Sequence, residues 1–261
     1  MFKTYTGVVE IQERRKLINT HLSEKGFLSI AELAKLFPDV SSMTIRRDLE
    51  YLENRGEIVR TKGGAKSILH LFTQKEEGYH SREVINADLK EEIAQKMKGL
   101  IEEKSCVFFD AGSTVMRIVK ELGQKPMYAV TNDPNIALEL IKNPNCEINV
   151  VCGTLNRDNI SLSGIGACEF LDSINIGTAV IAASGFSFEY GFTCGGYDDS
   201  LLKKKVISKA GKTIVVMDST KLHRNHPFTF AGLAEADILV TDKNFDETIK
   251  AKIKDQGVKV V

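Results

Sequence analysis

Three apolar runs in this 261-residue sequence end in polar stretches that offer hydroxyls, amides, carboxylates and an amine, and one of them can hold an anion. Val107-Phe108-Phe109 runs into Asp110-Ala111-Gly112-Ser113-Thr114, Tyr128 to Val130 into Thr131-Asn132-Asp133, and Ile214 to Met217 into Asp218-Ser219-Thr220-Lys221. Gly112 lets the backbone approach an anion closely, and Ser113 and Thr114 add hydroxyls beside helix N–H groups whose dipole favours phosphate. Read singly, each stretch also fits a helix cap or a loop tie. A different chemistry stands near the N-terminus, where Ser42, Met43, Thr44, Arg46 and Arg47 crowd the start of a helical pattern. Arginine at such a place can give two hydrogen bonds to guanine O6 and N7, while Ser, Thr and helix-start N–H groups hold phosphates.

Periodicity supplies the elements that must carry these residues. Leu89, Ile93 and Met97 stand at helical spacing, and short apolar runs then alternate with helical patterns: Cys106 to Phe109, Tyr128 to Val130, Ile148 to Val151, Thr178 to Ala183, Thr213 to Met217 and Ile238 to Val240. That alternation predicts βαβ units around a mainly parallel sheet. Ligands bind such sheets beyond the carboxyl ends of the strands, where loops lead into helix N-termini, and the three polar stretches fall there.

A smaller module precedes this domain. Ile11, Ile18 and Leu22 predict an amphipathic helix from Glu10 to Lys25, closed by Gly26. Ser29, three residues before Glu32, has a capping-box pattern for a short second helix. Beyond Pro38-Asp39, Ser41 or Ser42 caps a third helix with Ile45, Leu49 and Leu52 inward, which turns Ser42, Met43, Arg46 and Arg47 outward. Glu57 to Ala65 reads as a strand and glycine turn, a wing carrying Arg60 and Lys62. The predicted division is a DNA-binding module over 1–66, a linker over 67–86 without clear periodicity, and an α/β domain over 87–261.

Hydrophobic residues at 43% and charged residues at 27% are ordinary globular composition, enough for a sizeable core. No apolar run is long enough to span a bilayer and the N-terminus lacks a signal-peptide pattern, so a cytoplasmic location without membrane contact is expected. The five cysteines are scattered without a C-x-x-C pair, and no cofactor or metal site is expected. The net charge is zero, yet residues 1–66 hold 12 Lys/Arg against 9 Asp/Glu. A basic head on a mildly acidic body suits phosphate contacts made by the head.

The string Ser41-Ser42-Met43-Thr44-Ile45-Arg46-Arg47-Asp48-Leu49, with Leu52, Gly56 and the Arg60 to Ala65 turn, closely resembles the DNA-binding signature of the DeoR family of bacterial regulators. The succession of Asp110 to Thr114, Val130-Thr131-Asn132, Cys152-Gly153 with Ser163-Gly164, Gly191-Phe192-Thr193, Lys203 and Asp218 to Lys221 resembles that family's effector domain, a relative of the ribose-5-phosphate isomerase fold. The resemblance covers nearly the whole chain. It implies a winged helix-turn-helix followed by a phosphosugar-isomerase-like α/β sensor. It further implies a phosphate held at Gly112, Ser113 and Thr114 and a polyol end reaching Asp110, Asn132, Lys203 and Lys221, with Thr131, Gly153 and Asp218 completing the site. Where the family usually has an acidic residue, this sequence has Ala182-Ala183-Ser184-Gly185.

The expected function is a repressor of carbohydrate-metabolism genes that binds double-stranded operator DNA as a dimer or tetramer and is released by a phosphorylated sugar or polyol. Three alternatives stand beside it: an activator of the same family, a sugar-phosphate isomerase using Asp198 or Asp199 as base, and an architectural DNA-binding protein without a ligand.

Overall fold

A computed structural model describes residues 5, 9–61, 63–67 and 78–261, without the side chains of Glu24 and His80. The chain divides into two compact units, Met1–Gln74 and Lys75–Val261.

In the first unit, α1 (Ile11–Lys25), α2 (Ile30–Leu36) and α3 (Ser42–Asn54) enclose a small core of Ile18, Leu22, Leu28, Leu33, Leu36, Phe37, Ile45, Leu49 and Leu52. The capping box forms as its spacing predicts: the Ser29 hydroxyl accepts from Glu32 N–H (3.1 Å), and the Glu32 carboxylate accepts from Ser29 N–H (2.9 Å). Ser41, rather than Ser42, caps α3. The wing is a hairpin of β2 (Ile58–Thr61) and β3 (Gly64–Ser67), extended by β1 (Phe27–Ser29), a strand too short for periodicity to reveal.

The predicted 67–86 linker differs at both of its described ends. Ser67 pairs with Ile58 inside the wing, and Tyr79–Val84 forms a helix, α4, with Tyr79 buried. Six residues span fewer than two helical turns, which leaves no repeat for a sequence pattern to display.

The second unit is built on a seven-stranded parallel sheet in the order β15-β14-β12-β9-β4-β5-β6. Its strands are β4 (Cys106–Phe109), β5 (Met127–Thr131), β6 (Cys146–Val150), β9 (Ile176–Ala182), β12 (Ala210–Val216), β14 (Ile238–Val240) and β15 (Lys259–Val260). Residues alternate between two cores as the strand pleat requires. Phe108, Ala179, Ile181, Val215 and Leu239 face one, and Val107, Phe109, Val180, Ile214 and Val216 the other. Helices α5 (Ala87–Met97), α6 (Ser113–Glu121) and α7 (Pro134–Leu140) cover the second core, while α8 (Ile165–Asp172), α9 (Tyr197–Lys209) and α10 (Glu247–Asp255) cover the first. Burial on both faces makes the central strands near-continuous apolar runs, the reason they were legible.

The chain winds from β4 outward through β5 to β6, then returns to β4's other edge and winds outward through β9. The reversal between β4 and β9 is the topological switch point, where adjacent loops turn in opposite directions and leave a crevice. Two short antiparallel additions escaped the sequence reading. They are the hairpin β7 (Thr154–Asn156) with β8 (Ser161–Ser163), and the sheet of β10 (Gly185–Ser187), β11 (Gly191–Cys194) and β13 (Phe228–Ala231).

Gly64 faces Ser29 so closely that a Cβ built on it stands 2.1 Å from Leu28 O, whereas one on Gly63 meets nothing within 4 Å. Gly64→Ala is therefore expected to destabilise the first unit by about 1–3 kcal/mol and Gly63→Ala to leave it near wild type. Urea denaturation of both variants checks this; equal midpoints would mean the close approach is not maintained.

Candidate functional site

The outer face of α3 carries the candidate nucleic-acid contacts. Met43 is 63% exposed, and Ser42, Arg46 and Arg47 are exposed beside it. Neither Arg46 nor Arg47 has a hydrogen-bond or ion-pair partner among the described residues. Their neighbour Asp48 is turned inward, where its two carboxylate oxygens accept from Arg14 Nε (2.6 Å) and Arg15 Nε (2.8 Å) of α1. That clamp fixes the angle between α1 and α3. It was invisible in the sequence because its partners lie more than thirty residues upstream.

Other predicted contacts are already engaged. Thr44 N–H donates to Ser41 Oγ (3.1 Å), and the two hydroxyls lie 2.9 Å apart. Arg60, foreseen as a backbone contact, donates from Nε to Glu53 Oε2 (2.7 Å) and from its N–H to Glu53 Oε1 (2.9 Å), pinning the wing to the last turn of α3. The backbone N–H and then the guanidinium hold the Glu53 carboxyl below its ordinary range. Between α3 and the wing runs an open groove of about 280 Å³, lined by Arg46, Leu49, Glu53, Arg60 and Thr61 among others. Lys62 lies outside the described residues.

In the second unit the polar residues collect at the carboxyl edge of the sheet. Asp110, directly after β4, is fully buried; its Oδ2 accepts from Ala182 N–H at the end of β9 (2.9 Å) and from the Lys203 ammonium. Lys203 also donates to Ala182 O (3.1 Å) and lies 3.8 Å from Asp199 Oδ2. Burial opposes the Lys203 charge, but Asp110 and Asp199 more than offset it and raise its pKa. Sequence reasoning assigned Lys203 to a ligand; in the structure its ammonium is committed to Asp110 and Ala182.

Asn132, after β5, accepts from Ala111 N–H with Oδ1 (2.8 Å). Thr131 spends its hydroxyl locally, donating to Phe109 O (2.8 Å) and accepting from Asp133 N–H (3.1 Å). Gly112 takes φ 151° as α6 begins, a value that L side chains rarely adopt, and so brings the first backbone N–H groups of α6 to the crevice with Ser113 and Thr114. Asp218 follows β12 and accepts from Thr220 N–H (3.1 Å), and Lys221 is half-buried in the same 3-10 turn. Gly153 has a conformational reason instead: a Cβ there would stand 2.4 Å from Ser163 O.

Four side chains at this edge keep a buried polar atom without a partner among the described residues: Asp110 Oδ1, Asn132 Nδ2, Asp133 Oδ2 and Asp218 Oδ2. Such atoms are costly unless a ligand or an ordered water satisfies them.

Sequence reasoning missed Lys90, Asn86 and Arg82. Lys90 is 4% exposed, and its ammonium donates to the carbonyls of Arg82 and Ile85 (2.6 Å to the latter). Burial lowers its pKa to about 8, with Asp218 acting in the opposite sense and Lys221, Arg82 and Arg117 adding to the drop. The available signal was a lysine on the buried stripe Lys90, Ile93, Ala94 and Met97 of α5. Asn86 reaches Thr220 Oγ1 (3.1 Å) and Asp218 Oδ1 (3.4 Å).

A winged helix-turn-helix with unpaired arginines on its exposed face, followed by an α/β domain with a polar switch-point crevice, is the build of a DNA-binding regulator. Residues 14–70 match the DeoR-like helix-turn-helix domain, and residues 85–243 match the DeoR C terminal sensor domain. The HTH-type transcriptional regulator GlpR of Haloferax volcanii is 33% identical over 250 residues, covering 95% of this chain and 96% of that protein. The HTH-type transcriptional repressor GlcR of Bacillus subtilis is 32% identical over 232 residues, covering 89% and 88%. Among solved structures, ribose 5-phosphate isomerase A of Methanocaldococcus jannaschii overlaps 52% of this chain and 55% of its own at 17% identity and TM-score 0.40. The chain belongs to the DeoR family of transcriptional regulators and binds DNA through its N-terminal unit. No helix among the described residues is long and apolar enough to cross a membrane.

Asp133 supplies a pH test of the crevice. Burial, with a smaller push from Asp110, raises its pKa from 3.8 to about 6, although backbone N–H groups at the start of α7 pull the other way. The folded chain thus holds this proton more tightly than the unfolded chain. The resulting stabilisation is fully present below pH 3.8 and is lost as pH rises through 6, an effect of order 3 kcal/mol. Asp133→Asn keeps a capping oxygen and cannot ionise, so its stability should fall less between pH 4 and 7 in urea titrations. A decline as steep as wild type would place that titration on another group.

Proposed function

We propose that this regulator is a repressor whose sensor crevice binds a phosphorylated sugar or polyol, and that binding releases the operator. The observation that carries the reading is the set of unsatisfied buried atoms at Asp110, Asn132, Asp133 and Asp218, beside the start of α6. Carboxylate oxygens and an amide N–H suit several hydroxyls of a polyol. The α6 N-terminus with Ser113 and Thr114 suits a phosphate, and Lys90 and Lys221 add positive charge. Lys203 positions Asp110 for its ligand without touching the ligand itself. An isomerase would need a carboxylate base; position 184 holds serine, and Lys203 is held in its charged form by Asp110, poorly suited to relay a proton.

On DNA, Arg46 and Arg47 read base edges and the first turn of α3 contacts phosphate. A homo-oligomer presents two such helices to paired half-sites, and the ligand favours a geometry that no longer matches their spacing.

Full-length protein in thermal-shift assays should be stabilised by phosphorylated sugars or polyols and not by their unphosphorylated counterparts, by about 2.7 kcal/mol at a hundredfold excess over Kd. Stabilisation by neither set would remove the sugar-phosphate reading. Arg46→Ala or Arg47→Ala should weaken operator binding by about 1–3 kcal/mol at fixed salt while the thermal response to ligand persists. Unchanged operator affinity in both variants would move recognition away from this face.

A further inference from the structure

The two family matches leave residues 71–84 between them, and α4 lies in that gap. Despite its six residues, α4 and the turn after it are tied to the sensor by side chains and backbone from several loops. Tyr79 N–H donates to Asp158 O (2.8 Å), Arg82 Nη2 donates to Asn159 Oδ1 (3.1 Å), and Asn86 holds Thr220 and Asp218. The Lys90 ammonium binds the carbonyls of Arg82 and Ile85 at the end of the helix. Asn86 itself is left-handed (φ 56°, ψ 36°), a conformation that costs a non-glycine residue energy and that its two side-chain bonds help to fix.

These ties end on the loops that follow β7 and β12, and Asp133, after β5, bears electrostatically on the Tyr79 hydroxyl. Arg82 stands among them with Nε buried and without an acceptor among the described residues. A guanidinium N–H left so is unfavourable, and its fork is shaped for phosphate or carboxylate oxygens. Lys221, Arg82 and Arg117 all act on the Lys90 charge with Asp218 opposing them, so an incoming anion would add to what Asp218 supplies.

We propose that α4 is a wall of the effector site and that Arg82 gives the ligand's anionic group a guanidinium contact. This rests on the anion-binding reading of that site. Tyr79 lies a few residues beyond Gln74, the end of the DNA-binding unit. A ligand held by Arg82 would therefore fix α4, the first described helix of the second unit, a route from sensor occupancy to operator affinity.

The test uses the full chain with inorganic phosphate as the probe, read by amide hydrogen exchange and calorimetry. Phosphate should slow exchange in 79–86 together with 111–116. Arg82→Gln should raise the phosphate Kd about tenfold and lose the protection of 79–86, while Val84→Ala, altered at a side chain 77% exposed, should match wild type. Protection of 111–116 alone, or an Arg82→Gln variant that binds phosphate as wild type does, would overturn the role of α4 and leave the anion site standing. Protection of neither segment would overturn both. The wild-type exchange result decides even if Arg82→Gln does not fold.

Discussion

The sensor depends on one buried ion pair, Lys203 with Asp110. Taking two charges out of water costs several kcal/mol each, and their attraction offsets this only when further hydrogen bonds complete the geometry. Here they do: Asp110 also accepts from Ala182 N–H, and Lys203 also donates to Ala182 O, so both polar groups of one β9 residue are used. The pair thereby joins the ends of β4 and β9, the strands between which the winding reverses, and anchors α9 to both. With Oδ2 consumed, Asp110 presents Oδ1 in one orientation, and the rest of the crevice is assembled around it. Asn132 reaches Ala111, and a Cβ on Gly112 would already stand 3.4 Å from Ala182 Cβ.

Two buried lysines at this edge show how surroundings decide the role of a charge. Lys203 faces carboxylates and is held charged despite complete burial. Lys90 is buried with Asp218 as its main opposing charge, and burial, with a further push from Lys221, Arg82 and Arg117, lowers its pKa to about 8. A dianion entering the crevice would gain little from Lys203, whose charge is already neutralised. Against Lys90 it would offset the push of neighbouring cations, so the stronger response to an anion belongs to the lysine that sequence inspection passed over.

Legibility followed locality. The capping box at Ser29 and Glu32, the stripe Ile45, Leu49 and Leu52, and the apolar runs of β4, β9 and β12 depend on residues within a few positions of one another, and they stand where the sequence put them. The polar strand ends were legible for the same reason, since a parallel sheet delivers every such loop to one edge. What escaped depends on distant partners. The bonds of Asp48 to Arg14 and Arg15, of Arg60 to Glu53 and of Lys203 to Asp110 join residues that no local pattern links. The β7–β8 hairpin, the sheet of β10, β11 and β13, and α4 escaped because they are short and mix polar with apolar residues, without the continuous apolar run that marks β4 or β14.

The same accounting explains where the DNA-binding unit keeps its capacity to bind. Its arginines fall into three groups: Arg14 and Arg15 bound to Asp48, Arg55 and Arg60 bound to Glu57 and Glu53, and Arg46 with Arg47 unpaired. A paired guanidinium must give up a carboxylate before it can hold a phosphate or a base, and that exchange returns little net free energy. Exposed, unpaired arginines carry no such cost and release counterions in full when they reach DNA. Because Asp48 is bound by Arg14 and Arg15 of α1, it is not available to pair with Arg46 or Arg47 beside it. The inward aspartate thus serves the outward face: it ties α3 to α1 and leaves the charge of Arg46 and Arg47 for DNA.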